Sequence, residues 1–477
     1  MKKIFYILLF LSLNLFLGYQ HYVYLDEFSS FVLVDDLVNL DFASFIRDYP
    51  QFVQTPLTMF ISAFFRALIK NILGYRLLLF FSSCLLFFFS YKILKKLNQK
   101  EEDSLFASFF ISSSFPILYT FHFLYAEPLS VLFLVISIYF YLNKDILSFV
   151  SNGIFSFLSK QLGIAALSPL LLLLHQKKLK KIDILKYSSI ILFPLIFWIF
   201  FVYSNYGSFL SPGGHEFILE PLLLLGKTGW LIGILGFYSS PFFFNLIENF
   251  KKYKSKLKFL FFALLLFFPF SIKFFGSRSF ITESENYKIH GSIPLFYHIL
   301  PDYIYTLFIL AVFQIGILYI FFLFSTKKNY YPILLFSFFA LILLLGGKNQ
   351  PTAELRHTIY FVPIIIFSLL SEFKLNKLSK FICILFIIYS FFWAYFLINL
   401  ANTSGEIKEY LLSNNITCFY SNLPIYKLES SCVLENSETL ITAPGFSENI
   451  SFDKFSEIKS FDVLKIYKIK IYEKKAV

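Results

Sequence analysis

Apolar runs recur along most of the chain, broken by Lys-rich turns that alternate with polar loops of mixed charge. A run of roughly 17–25 apolar residues is long enough to cross a bilayer as a helix. The pattern predicts about thirteen such helices, over 4–19, 75–92, 104–120, 128–142, 146–159, 162–174, 187–204, 226–247, 258–275, 303–325, 330–346, 359–372 and 380–400. The fold class this predicts is an all-α polytopic membrane protein.

Orientation follows from the excess of Lys and Arg in cytoplasmic loops. Met1-Lys2-Lys3 sets the N-terminus inside. No small-x-small cleavage site precedes Tyr19, so the first apolar run is expected to stay as helix 1 rather than leave as a signal peptide. The loop from Gln20 to about Leu57 is then external, and carries Asp26, Glu27, Asp35, Asp36, Asp41 and Asp48 against Arg47 alone.

Within that loop, 35–48 reads as a short amphipathic helix. The stretch 57–72, with Arg66 and Lys70 on one face and Phe60, Phe64, Phe65 and Leu68 elsewhere, reads as interfacial rather than spanning. That choice puts Lys92, Lys95, Lys96 and Lys100 inside. The later clusters follow at Lys144, Lys177–Lys186, Lys251–Lys258, Lys327-Lys328 and Lys374–Lys380.

From about residue 401 the chain turns polar. The alternation in Val463-Leu-Lys-Ile-Tyr-Lys-Ile-Lys-Ile-Tyr472 reads as strand. The expected division is therefore a transmembrane domain over 1–400 and a small α/β or β-rich external domain over 401–477. Cys418 and Cys432 fall in this tail, on the oxidising side, where a disulfide is open to them. Cys84 and Cys383 sit inside apolar helices and read as small hydrophobes.

Composition sharpens the class: 57% of residues are hydrophobic, 22% aromatic and 15% charged, against about a quarter charged in soluble domains. The net charge of +12 does not point to nucleic acid, because the Lys residues sit in short inter-helix turns and no basic soluble domain is available. Phosphate-cradling Gly loops, dinucleotide fingerprints, His-Glu-x-x-His and paired Cys-x-x-Cys motifs are all lacking from the sequence.

What remains is a set of polar residues on the external turns: Asp26, Glu27, Glu127, Lys160, Gln161, His215, Glu216, Arg278, Arg356 and His357. A carboxylate just above the apolar zone can take a proton from an acceptor hydroxyl. Cations on neighbouring turns can hold a departing phosphate. A Lys near membrane depth costs about 2.5–3.5 kcal/mol unless it pairs or snorkels, so Lys160 either reaches the interface or has a partner. Glu127, just before Pro128, lines a site or simply occupies the first turn of its helix, where the dipole favours an acid. His215, Glu216, His290 and His298 show no metal-ligand spacing, and whether a divalent metal takes part is left open.

Several of these motifs carry a family resemblance. Tyr24-Leu-Asp-Glu27 follows the first helix, Thr55-Pro56-Leu57 opens the interfacial one, and Gly74-Tyr-Arg-Leu77 opens the next span. Together they resemble the GT-C glycosyltransferase superfamily, nearest its protein O-mannosyltransferase and aminoarabinose-transferase (ArnT-like) branch. Gly153 to Leu173, around Lys160, is similar to that branch's short paired helices, and Glu354-Leu-Arg356-His357 with Pro363 to its late motif. Lys160-Gln161 and Leu355-Arg356-His357 also loosely resemble pairs in the dolichol-pathway α-1,2-glucosyltransferase.

The resemblance covers roughly residues 1–400. It implies a transferase that moves a sugar from a polyprenyl-phosphate donor to a lipid, glycan or protein acceptor. Asp26 would be the base beside Glu27, Lys160, Gln161, Arg356 and His357 would bind donor phosphate, and Glu127, His215, Glu216 and Arg278 would line the substrate. The chain departs from the branch at Gln54-Thr55, where a basic residue is usual. The implied location is the bacterial plasma (inner) membrane, with chemistry on the extracytoplasmic face. The rival classes are a lipid-linked oligosaccharide flippase or other transporter, which would show repeat halves and charges along a path, and an O-antigen-type polymerase or ligase. No convincing internal repeat is visible.

Overall fold

A computed structural model describes residues 2–18, 33–42, 44–45, 56–69, 72–122, 127–159, 180–206, 221–252, 261–271, 302–325, 359–416, 418–421, 439–442, 455–463 and 467–475. The principal helices among them are α1 (Lys2–Gly18), α2 (Pro56–Leu68), α3 (Ile72–Lys96), α4 (Glu101–Ser112), α5 (Phe115–Thr120), α6 (Glu127–Asn143) and α7 (Ile146–Ser159). They continue as α8 (Lys181–Tyr206), α9 (Pro221–Ser239), α10 (Phe243–Lys251), α11 (Phe268–Ser271), α12 (Asp302–Ser325), α13 (Phe361–Leu370) and α14 (Lys377–Ser413). Four described stretches are long and apolar enough to cross a membrane: Leu73–Lys96, Thr228–Lys251, Tyr303–Ser325 and Lys377–Phe396.

Side-chain contacts fix the relative directions of these helices. Ser83 and Asn14 hydrogen-bond at 3.1 Å and Phe10 stacks on Phe87, so α1 runs antiparallel to α3. The Arg76 guanidinium reaches the carbonyl of His122 near one end of α3, and Lys96 reaches Asn143 at the other, so α3 and α6 run parallel. Helix α7 returns antiparallel to α6, with Ser130 on Ser156 and Ser137 on Phe149.

One end of the bundle therefore gathers Lys92, Lys95, Lys96, Lys100 and Lys144. There Gln99 donates to the carbonyls of Leu370 and Phe373, the latter at 3.0 Å. Lys380 pairs with Asp103 at 2.6 Å, and Phe322 at the end of α12 packs on Phe373. The N-terminus of α1 points the same way, since Tyr6 packs on Phe106 near the start of α4.

Three expectations need correcting. The run 104–120 is two helices, because Pro116 has no N–H to donate to Ser112, and the chain breaks at Ser113-Ser114. The expected run 226–247 falls on the single apolar stretch Thr228–Lys251, which tightens into a 3-10 turn at Ser240–Phe242 around Pro241. The stretch 35–48 is not one helix: it is helical over 33–38, then Leu40 takes a positive φ of 58°, and Asp41 accepts from the backbone N–H of Ser44 to start again. Finally α14 does not stop at 400 but runs 37 residues to Ser413.

The tail forms a four-stranded sheet of β1 (Phe419–Ser421), β2 (Thr439–Thr442), β3 (Phe455–Val463) and β4 (Tyr467–Lys474), in the order β1-β2-β4-β3. Strands β1 and β2 are parallel and the other pairs antiparallel. Within the alternating stretch Val463 ends β3 and Tyr467 opens β4, and these two residues pair with each other, so the stretch contributes to two antiparallel strands. Ile469 and Ile471 point inward while Lys468 and Lys470 face out. Ile407 and Leu411 of α14 are buried, and Tyr410 meets Phe461 edge-on at 5.9 Å, so the end of this helix covers the sheet. Cys418 is disulfide-bonded and Cys84 and Cys383 are free; Cys432, the remaining cysteine of the sequence, lies outside the described residues.

Candidate functional site

The end of the bundle opposite the Lys clusters collects buried polar side chains of a different kind. Arg76, in the first turns of α3, is only 7% exposed. Its guanidinium donates to the carbonyl of His122, just past the end of α5, where helix carbonyls lack intrahelical partners. His122 is itself buried. Desolvation, and then the adjoining Arg76 charge, push its pKa from 6.5 down to about 3, so the imidazole is neutral.

Glu127 opens α6 and is fully buried. Tyr360, in the turn before α13, is fully buried and lies within electrostatic reach of Glu127. Ser130 exchanges hydrogen bonds with Ser156 of α7. A guanidinium beside an imidazole and, separately, a carboxyl near a phenol are thus buried at this end of the bundle. There, proton transfer and anion stabilisation act with more force than in water.

A second group lies at the same end. Arg66 Nε donates to Asp35 Oδ1 at 3.1 Å, and the Tyr75 hydroxyl donates to that same oxygen at 3.3 Å. Thr58, at the start of α2, donates to the carbonyl of Ser159 at 2.9 Å. Both ends of α2 thus meet this one end of the bundle, so the helix lies across it. That is the arrangement expected of an interfacial segment.

Of the residues singled out from the sequence, Glu127 is described; it does occupy the first turn of its helix, but fully buried rather than solvated. Asp26, Glu27, Lys160, Gln161, His215, Glu216, Arg278, Arg356 and His357 lie outside the described residues. Their described neighbours can be placed. Leu33 to Asp35 follow the first acidic pair, Ser159 precedes Lys160, and Tyr360 follows His357, and all sit at the polar end. Arg76 stands out only within Gly74-Tyr-Arg-Leu77, and the sequence singles out neither His122 nor Tyr360 as a site residue. The legible signal for Arg76 was a lone Arg opening an apolar run. Among the described residues no three His, Cys, Asp or Glu side chains are close enough to hold a metal ion.

Long apolar helices with Lys at one end and buried polar groups at the other define an integral membrane protein. No protein-family model matches the chain, and no curated protein does. Among solved structures it is similar to the crystal structure of ArnT from Cupriavidus metallidurans bound to undecaprenyl phosphate. The likeness has 10% identity, covers 98% of this chain and 97% of that one, and has a TM-score of 0.41.

Proposed function

We propose that this chain is a membrane glycosyltransferase that moves a sugar from a polyprenyl-phosphate-linked donor to a lipid, glycan or protein acceptor at the extracytoplasmic face of a bacterial plasma membrane. The reading rests on the motif resemblance over residues 1–400. The observation that supports it best is the common position of the residues flanking three motif stretches, Asp35, Ser159 and Tyr360, at the end remote from the Lys clusters.

In this reading Asp26, with Glu27 beside it, takes the proton of the acceptor hydroxyl as that oxygen bonds the anomeric carbon. The bond from that carbon to the phosphate oxygen breaks, and the polyprenyl phosphate leaves with the electron pair. Lys160 and Arg356, assisted by Gln161 and His357, hold the phosphate as its charge builds. Glu127, His215, Glu216 and Arg278 line the space for sugar and acceptor. The small unit over 401–477 lies on the same side as the chemistry.

The test is Asp26→Asn in purified full-length protein incubated with labelled polyprenyl-phosphate sugars. The variant is expected to bind donor as tightly as the parent and to transfer none of it. Full transfer by Asp26→Asn would end the catalytic assignment.

A further inference from the structure

Helix α2 is fixed at two points 8 residues apart, Thr58 on Ser159 and Arg66 on Asp35. Between them Met59 and Ser62 are buried against the bundle, while Phe60 and Phe64, with Leu68 just beyond Arg66, stay exposed. An isolated surface ion pair contributes about 0–1 kcal/mol, and its side chains wander. This one differs, because two donors from two separate elements converge on a single carboxylate oxygen. One of them, Tyr75, is only 2% exposed and held by the core.

We infer that Arg66 is a positioning residue: by gripping Asp35 it makes α2 a fixed strut across the polar end. The strut sets the spacing between Asp35, which follows the first acidic pair, and Ser159, which precedes Lys160. The role in turnover rests on the glycosyltransferase reading; the strut itself does not. A base and a phosphate-holding cation on different elements need such a spacer, since a misplacement of about 1 Å can cost 100-fold in rate.

The experiment uses the full chain in nanodiscs, with a polyprenyl-phosphate sugar that the parent protein turns over. Arg66→Gln is expected to lower kcat about 10- to 100-fold, with donor KM within about twofold of the parent. Asp35→Asn should do the same. The charge swap Asp35→Arg with Arg66→Asp should recover most of the loss, which a variant that merely fails to fold would not.

Amide hydrogen exchange gives the second readout, independent of turnover. Arg66→Gln is expected to speed exchange across residues 56–68 and leave 127–143 unchanged. Unaltered kcat together with unaltered exchange in Arg66→Gln would overturn the inference. If the parent transfers no sugar, the proposed function falls and the positioning role with it, and exchange alone then decides for or against the strut.

Discussion

Ser130 and Ser156 each donate a hydroxyl to the other's backbone carbonyl, at 2.8 and 2.7 Å. The exchange joins α6 to α7 through two small residues, so the helices approach closely, as small polar side chains permit in apolar surroundings. A double-mutant cycle of Ser130→Ala and Ser156→Ala is expected to give a coupling of about 0.6 kcal/mol and no more than about 1.7 kcal/mol, the average and the maximum for hydrogen bonds between membrane helices. Ser156→Leu, which adds bulk instead of removing a bond, should be far worse. Thermal unfolding in detergent checks both, and a Leu variant as stable as the Ala variant would mean the helices are not closely apposed.

Helices α9 and α12 cross with their backbones in contact. A Cβ on Gly236 would stand 1.8 Å from the carbonyl oxygen of Val312, and one on Gly316 would stand 1.9 Å from that of Ile232. Neither oxygen can swing aside as a side-chain tip can, so the helices would have to part. Overpacking a core ordinarily costs about 1–3 kcal/mol, and backbone collisions at this distance belong at or beyond the upper end. Gly236→Ala or Gly316→Ala should lower the thermal midpoint sharply and broaden the size-exclusion peak. Parent-like behaviour in both variants would show that the crossing is looser than these distances require.

His122 makes stability depend on pH in a definite direction. The folded protein keeps the imidazole neutral down to about pH 3, whereas the unfolded chain protonates it at about 6.5. Below 6.5 the unfolded state therefore binds more protons, and stability falls as pH falls, with a slope approaching about 1.4 kcal/mol per pH unit. Above 6.5 the residue contributes no pH dependence. Thermal midpoints between pH 7 and pH 5 should drop more steeply in the parent than in His122→Asn, and equal slopes would remove His122 from the account.

Much of the helical frame was readable because apolar runs end where charge begins. The expectation 146–159 coincides with α7 at both ends, and 303–325 misses α12 by one residue. Hydropathy is blind to breaks inside a run. Ser112-Ser113-Ser114 ahead of Pro116 barely lowers the apolar average, yet the missing N–H of Pro116 is enough to end α4. The overrun of α14 was hidden for the opposite reason: polarity rises after Leu400, but Ile407 and Leu411 keep a helical spacing that marks one buried face. The site divides similarly. Glu127 stands out beside a proline at the start of an apolar run. The burial of Arg76 and His122, by contrast, is a tertiary fact, set by α3 and the end of α5 meeting.

Helix α14 yields the last prediction. At about 1.5 Å per residue its 37 residues span about 55 Å, while the hydrocarbon core of a bilayer is about 30 Å thick. The surplus lies at its C-terminal end, where Ile407 and Leu411 are buried and Tyr410 meets Phe461 of β3. The sheet is small, so this contact should supply much of its stability. Ile407→Glu would bury a charge with no room for water, which costs several kcal/mol unless the contact opens. Opening should win, freeing the tail while the bundle stays folded. Limited trypsin digestion in detergent should then release fragments from 414–477 in Ile407→Glu but not in the parent, with little change in the thermal midpoint of the membrane part. A tail that stays resistant in the variant would mean that something other than the α14 face holds the sheet.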